Sequence, residues 1–158
     1  MKSQKSYTVE EAKRAIERYC VYQERCHKEI EQKLRSYNMI PEVCQHIIVH
    51  LIDHNFLNEE RFSKSFARGK FNIKKWGKQR ITRELRFRDI SDYNIKSALK
   101  EISEEKYLST FHSLAEKKLE SLTETNELKK KKKLSDYLLY RGWESSLVYD
   151  KVNSISKH

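Results

Sequence analysis

Residues 81–102 read ITRELRFRDISDYNIKSALKEI, and this stretch decides the fold because its apolar pattern recurs elsewhere in the chain. Leu85 is the anchor. Ile81 lies four residues before it, Ile90 five after, Leu99 fourteen after and Ile102 seventeen after. The same offsets around Leu34 find Ile30, Met39, Ile48 and Leu51. Around Leu138 they find Leu134, Trp143, Val152 and Ile155. The anchors are 51 and 53 residues apart, so the chain reads as a threefold repeat. All twelve flanking positions are apolar in a chain that is only 37% hydrophobic.

Within each unit the apolar residues fall at helical spacing. Ile30 and Leu34 mark one short helix, and Cys44, Ile47, Ile48 and Leu51 the next. The second unit repeats this with Ile81 and Leu85, then Ile95, Ala98, Leu99 and Ile102. The third has Leu134, Tyr137 and Leu138, then Leu147, Val148, Val152 and Ile155. A longer helical stretch precedes each pair, over 10–22, 59–71 and 104–122. Boundary signals agree. Thr8 and Glu11 have capping-box spacing. Pro41 suits a first helical position. Asn58, Ser91 and Ser103 each precede acids that favour the positive end of a helix dipole. Gly142 can take the left-handed conformation that closes a helix. Three glycines and one proline leave little turn material for a sheet. The expected fold is all-α: three tandem three-helix repeats forming an elongated, curved helical array. The units expected are 1–56, 57–102 and 103–158.

The 158 residues include 33 Lys and Arg against 23 Asp and Glu, a formal net charge of +10. From Arg61 to Arg88 there are eleven bases and one acid, Glu84, so the middle of the chain carries the whole excess. Crowded like charges stabilise nothing by pairing, which points to a polyanion or an acidic protein surface as partner. A second run, Lys129 to Lys133, is offset by Glu120, Glu124 and Glu127. Phe71, Trp76 and Phe87 interleave with the central bases and are expected in the core, not stacked on nucleobases.

Other functions find less support. The helix after Ile90 begins Ser-Asp-Tyr-Asn, which has little of the base-reading chemistry of an operator-binding helix. Gly69 and Gly77 are isolated and form no phosphate loop, and no nucleophile–base set stands out, so no enzyme activity is expected. Cys44, His46, His50 and His54 include pairs at metal-ligand spacing, with Cys26-His27 as further donors. Cys44 nevertheless belongs to the apolar stripe, and no metal or cofactor is expected. No apolar run is long enough to span a membrane, and Met1-Lys2-Ser3-Gln4-Lys5 leads into charged sequence. Cys20, Cys26 and Cys44 suit reduced thiols, so a cytoplasmic protein is expected.

Two segments at fixed separation suggest a family: Phe56-Leu57-Asn58-Glu59-Glu60-Arg61-Phe62-Ser63-Lys64-Ser65-Phe66, and Lys75-Trp76-Gly77-Lys78-Gln79-Arg80-Ile81-Thr82-Arg83-Glu84-Leu85-Arg86. They resemble the signature of the bacterial RecX regulatory proteins, in which an Arg-Phe pair and a Gly-x-x-x-Ile-x-x-Glu-Leu segment mark successive helices. Asn58-Glu59-Glu60 stands where that family usually has paired aspartates, and Cys26 where it often has a Ser N-cap. The resemblance implies a modulator, usually negative, of the RecA recombinase, and a monomer is expected. Such a protein lies in the groove of the RecA–single-stranded DNA filament and limits filament growth, ATP hydrolysis and strand exchange. Lys70, Lys74, Lys75, Lys78, Arg80, Arg83 and Arg86 are then the expected docking residues, with Arg61, Lys64 and Arg68 secondary. A general nucleic-acid-binding repeat protein without a recombinase partner is the alternative, and a helical protein–protein scaffold a third.

Overall fold

The computed structural model describes residues 6–155, so the charged stretch Met1–Lys5 read above lies outside the described residues. Among the described residues there are nine helices and no strand. They are α1 Val9–Tyr22, α2 His27–Ser36, α3 Pro41–Asp53, α4 Glu59–Asn72, α5 Lys78–Phe87, α6 Asp92–Leu99, α7 Glu104–Ser121, α8 Glu127–Tyr140 and α9 Ser145–Ile155. They pack in threes along the chain, α1–α3, α4–α6 and α7–α9. The accessible surface is 10479 Å². A compact protein of this mass would expose about 8,400 Å², and the excess is what tandem units require.

The caps are those the sequence signals. Thr8 Oγ1 accepts from the Glu11 N–H at 3.1 Å, and Glu11 Oε1 accepts from the Thr8 N–H at 3.0 Å. Asn58, Ser91 and Ser103 cap α4, α6 and α7 through side-chain oxygens 2.9, 3.2 and 3.2 Å from N3 amides. Asn126, which the sequence reading did not single out, caps α8 from 3.1 Å.

The repeat is also written in the helix ends. Asn38, Asp89 and Gly142 each lie four residues after an anchor leucine and have φ of 61°, 59° and 89°. The next residues, Met39, Ile90 and Trp143, donate their N–H back to the anchor carbonyls at 3.2, 3.1 and 3.3 Å. This is the Schellman closure, three times over. Of the fifteen repeat positions, twelve are buried; Met39, Leu99 and Ile155 are partly buried against the same cores.

The cores, however, number two. Ala12, Ile16, Ile30, Leu34, Ile47 and Leu51 centre a core made by the first unit together with Leu57 from the connection to α4. The second core runs without a break from Phe71, Ile81 and Leu85 into Phe111, Leu134 and Trp143. Trp143 is fully buried at this seam, its ring 4.6 Å from Tyr107, 5.2 Å from Phe111 and 6.4 Å from Phe71. Burying each such side chain stabilises the fold by roughly 1.5–3 kcal/mol.

The same seam positions α5. Gly77 has no side chain with which to cap that helix. Its N–H instead donates to the Arg141 carbonyl at 2.8 Å, and the Gln79 N–H donates to the Gly142 carbonyl at 3.1 Å. The end of α8 thus caps the start of α5 with its negative pole. Contact this close requires glycine: a Cβ on Gly142 would sit 2.2 Å from Arg80 Cβ, and one on Gly77 2.4 Å from the Gly142 oxygen. The Lys78 N–H donates to Tyr107 Oη at 2.8 Å, and that hydroxyl donates to Glu144 at 2.7 Å. Burial pushes the Tyr107 phenol pKa far up, and the Glu144 carboxylate acts in the same direction.

The first and second units meet differently. Arg61 Nε donates to Glu24 at 2.6 Å, the His27 N–H to Glu59 at 3.2 Å, and Lys28 Nζ to the Phe87 carbonyl at 2.7 Å. Cys26 is the one buried apolar residue of the first unit that joins the second core.

Candidate functional site

The central bases divide by partner. Arg61 holds Glu24 and also donates to the Asn55 side chain at 3.0 Å. Lys64 lies 3.1 Å from Glu60 and 3.8 Å from Glu101, and its hydrogen bond to Glu60 raises its pKa. Arg68 pairs with Glu101 at 3.1 Å. Arg88 pairs with Glu84 at 3.0 Å and reaches Glu29 at 4.0 Å. These four brace unit 2 internally or against unit 1. Arg86 is 3.5 Å from Asp92, but both groups stand mostly in water, where such a pair is weak.

Lys70, Lys74, Lys75, Lys78, Arg80 and Arg83 have no acidic partner among the described residues. They occupy the last turn of α4, the connection after it and most of α5. Aromatic rings hold several of them without neutralising their charge. Lys70 Nζ is 5.0 Å from the centre of the Trp76 ring and 5.4 Å from that of Phe66. The Arg80 guanidinium lies between Trp76 at 4.1 Å and Tyr140 at 4.7 Å, and donates to the Tyr140 carbonyl at 3.2 Å. Lys78 Nζ is 4.6 Å from the Tyr107 ring centre. Helix α5 also carries no acid in its first turn and opens on Lys78. Cations at a helix N-terminus oppose the dipole, so this segment gives up local stability, which the carbonyls at the end of α8 that cap α5 offset.

The aromatics do not all behave as expected. Phe71 is buried and Trp76 half-buried, but Phe87 is 69% exposed, which corrects its placement in the core. The reason is angular: Phe87 follows Leu85 by two residues, about 200° around a helix, and so faces away from the core. Tyr140 follows Leu138 by the same step and is also 69% exposed. The repeat offset could have found both; the sequence reading did not single out Tyr140. Both rings line one of two adjoining hollows that share Arg83 and Leu139 and together form a groove between α5 and α8. Lys78, Gln79, Thr82 and Arg86 line one hollow, and Arg80, Glu84, Phe87 and Tyr140 the other.

The donors weighed for a metal are otherwise engaged. His50 Nε2 lies 3.1 Å from Glu17, His54 Nδ1 lies 2.9 Å from the His50 carbonyl, and Cys44 Sγ lies 3.6 Å from the Met39 carbonyl. No group of three His, Cys, Asp or Glu suited to an ion occurs among the described residues. Burial pushes the Cys20 and Cys26 thiols up to about 11. No helix among the described residues is long and apolar enough to cross a membrane.

Comparison with known proteins adds the following. Residues 58–99 match the RecX second three-helix domain, and residues 104–152 match the RecX third three-helix domain. The regulatory protein RecX of Bacillus cytotoxicus is 26% identical over 130 residues, and that of Bacillus cereus 27% identical over the same length. Each match covers 82% of this chain and 48% of the relative, so the chain spans about half the length of these curated relatives. The crystal structure of RecX from Lactobacillus salivarius superposes with a TM-score of 0.77 at 26% identity, covering 92% of this chain and 94% of that one. A second crystal structure, of a regulatory protein RecX, shares the fold with a TM-score of 0.81 at 23% identity, covering 92% of this chain and 73% of that one.

Proposed function

This chain belongs to the RecX family of regulatory proteins, and from that premise we propose that it binds the RecA–single-stranded DNA filament. There it modulates, mostly by inhibition, ATP hydrolysis, filament growth and strand exchange, and so regulates DNA repair and recombination. It acts in the cytoplasm as a monomer, by binding alone, with no catalysis or cofactor of its own. The units 1–56, 57–102 and 103–158 lie in succession along the filament groove.

The observation that carries this reading is the run of six cations free of acidic partners between Lys70 and Arg83, on an elongated array whose charges balance outside the Arg61–Arg88 segment. Such a surface has unspent electrostatic attraction for a nucleoprotein polymer. Lys70, Lys74, Lys75, Lys78, Arg80, Arg83 and Arg86 are the docking residues. Arg61, Lys64 and Arg68, already engaged with acids, take a secondary part.

The test is the DNA-dependent ATPase of RecA with the chain added far below the amount that coats the DNA. Suppression in that range, steeply weakened by salt, is the expected result. Suppression only once the DNA is coated would mean simple competition for nucleic acid and would overturn the reading. An interaction indifferent to salt would point to a neutral protein scaffold.

A further inference from the structure

We propose that the groove between α5 and α8 binds single-stranded nucleic acid directly, with bases stacked on Phe87 and Tyr140 and phosphates held by Arg83 and its neighbouring cations. This deepens the filament reading by naming the component of the filament that this face touches.

Three observations converge on the groove. The first is charge. Its walls carry Lys78, Arg80, Arg83 and Arg86 against one acid, Glu84, and Arg88 already occupies that acid at 3.0 Å. An acidic protein surface would satisfy those cations, but it would not account for the rings.

The second observation is the rings themselves. Phe87 and Tyr140 are both 69% exposed, and unlike the exposed Tyr93 and Tyr149 of the same units they line the hollow beside Arg83. They occupy equivalent repeat positions, two residues after Leu85 and Leu138, where the first unit has Ser36. At this repeat position the outward aromatic is absent from the first unit and present in the two units that form the groove.

The third is support. Arg80 packs against the Tyr140 ring and is backed by Trp76, while Lys28 Nζ lies 4.4 Å from the Phe87 ring centre. Each ring is thus braced by a cation while staying mostly open. Arg80 and Phe87 are seven residues apart, about 10 Å along α5. That spacing leaves room for a short run of nucleotides across Arg83. Cation-lined grooves with open rings bind single strands through stacking that any base can supply.

The measurement is fluorescence anisotropy of a labelled oligothymidylate with the full chain, beside an abasic strand of equal length and charge. The natural strand should bind about tenfold or more tightly than the abasic one, because only the natural strand has bases to stack on the two rings. The double variant Phe87→Ala, Tyr140→Ala should lose that preference while keeping its binding to the abasic strand. Arg83→Glu should weaken both strands alike. The altered side chains are exposed, and circular dichroism checks that each variant folds. Equal affinity of the native chain for the two strands would overturn the inference, as would a preference that survives in the double variant. RecA ATPase suppression is read in parallel. If suppression persists without oligonucleotide binding, this inference falls and the filament reading stands. If stacking-dependent binding occurs without suppression, the inference stands and the filament reading falls.

Discussion

Units 2 and 3 are joined by a core, whereas units 1 and 2 are joined by ion pairs. At the first seam Trp143, Phe71, Phe111 and Tyr107 meet in one apolar cluster, and α8 caps α5 through backbone hydrogen bonds. At the second, the Arg61–Glu24 and Lys28–Asp89 ion pairs and hydrogen bonds from the His27 N–H to Glu59 and from Lys28 to the Phe87 carbonyl join the units around the buried Cys26. An apolar seam is insensitive to salt and fixes geometry; a partly exposed ionic one is screened and adjusts. Of the acid-free cations, Lys78, Arg80 and Arg83 lie at the apolar seam, whereas Lys70 and Lys74 line a hollow against Gln23, Glu24 and Glu29 of the first unit. The α5 end of the proposed docking face thus rests on the core shared by units 2 and 3, and its α4 end borders the first unit.

The severest way to break this contrast is Trp143→Ala. Removing a fully buried indole at the seam should cost about 3–5 kcal/mol in urea unfolding. A loss of less than about 1 kcal/mol would show that the seam is not a shared core. Tyr107→Phe probes the polar half of the same seam. It leaves the Lys78 N–H and the Glu144 carboxylate without their partner and should cost about 1–3 kcal/mol.

The same tyrosine makes the seam sensitive to alkali. Its folded-state pKa is raised above the ordinary 10.0, so the unfolded chain loses the proton first. The Tyr107 contribution should hold below pH 10 and fall as pH rises beyond it, and it should be missing in Tyr107→Phe. Cys20 and Cys26, raised from 9.0 to about 11, add a loss of the same sign across that interval. Thermal melting against pH checks both.

The smallest effect belongs to the ionic seam. Arg61→Gln should cost about 1 kcal/mol or less, and the difference from native should shrink in about 1 M salt. A large loss that is unaffected by salt would erase the distinction between the seams.

Much of this architecture was legible in the sequence because it depends on local periodicity. The anchors Leu34, Leu85 and Leu138 marked the repeat, and Thr8, Asn58, Ser91 and Ser103 marked helix starts that the hydrogen bonds reproduce. Gly142 was readable as a helix stop, but not as a point where α5 approaches within Cβ distance. Periodicity gives the buried face of a helix and not the unit it faces, so the two-core arrangement could not be read. The division of the cations was hidden for the same reason. Arg61 finds Glu24 across 37 residues, and Arg80 finds Tyr140 across 60. Phe87 was misplaced because an aromatic among bases was weighed by type and not by its angle from Leu85.

The most direct measurement compares two triple neutralisations that remove equal charge. One takes Lys74, Lys75 and Arg83 to Gln, and the other takes Arg61, Lys64 and Arg68 to Gln. Both are assayed for suppression of RecA's DNA-dependent ATPase at concentrations well below those that coat the DNA. The first should raise the concentration needed for half-suppression by tenfold or more, at about 1.4 kcal/mol per decade, while the second shifts it several times less. Equal shifts would mean that net charge alone governs binding, and a larger shift in the second would place the docking face on the wrong cations.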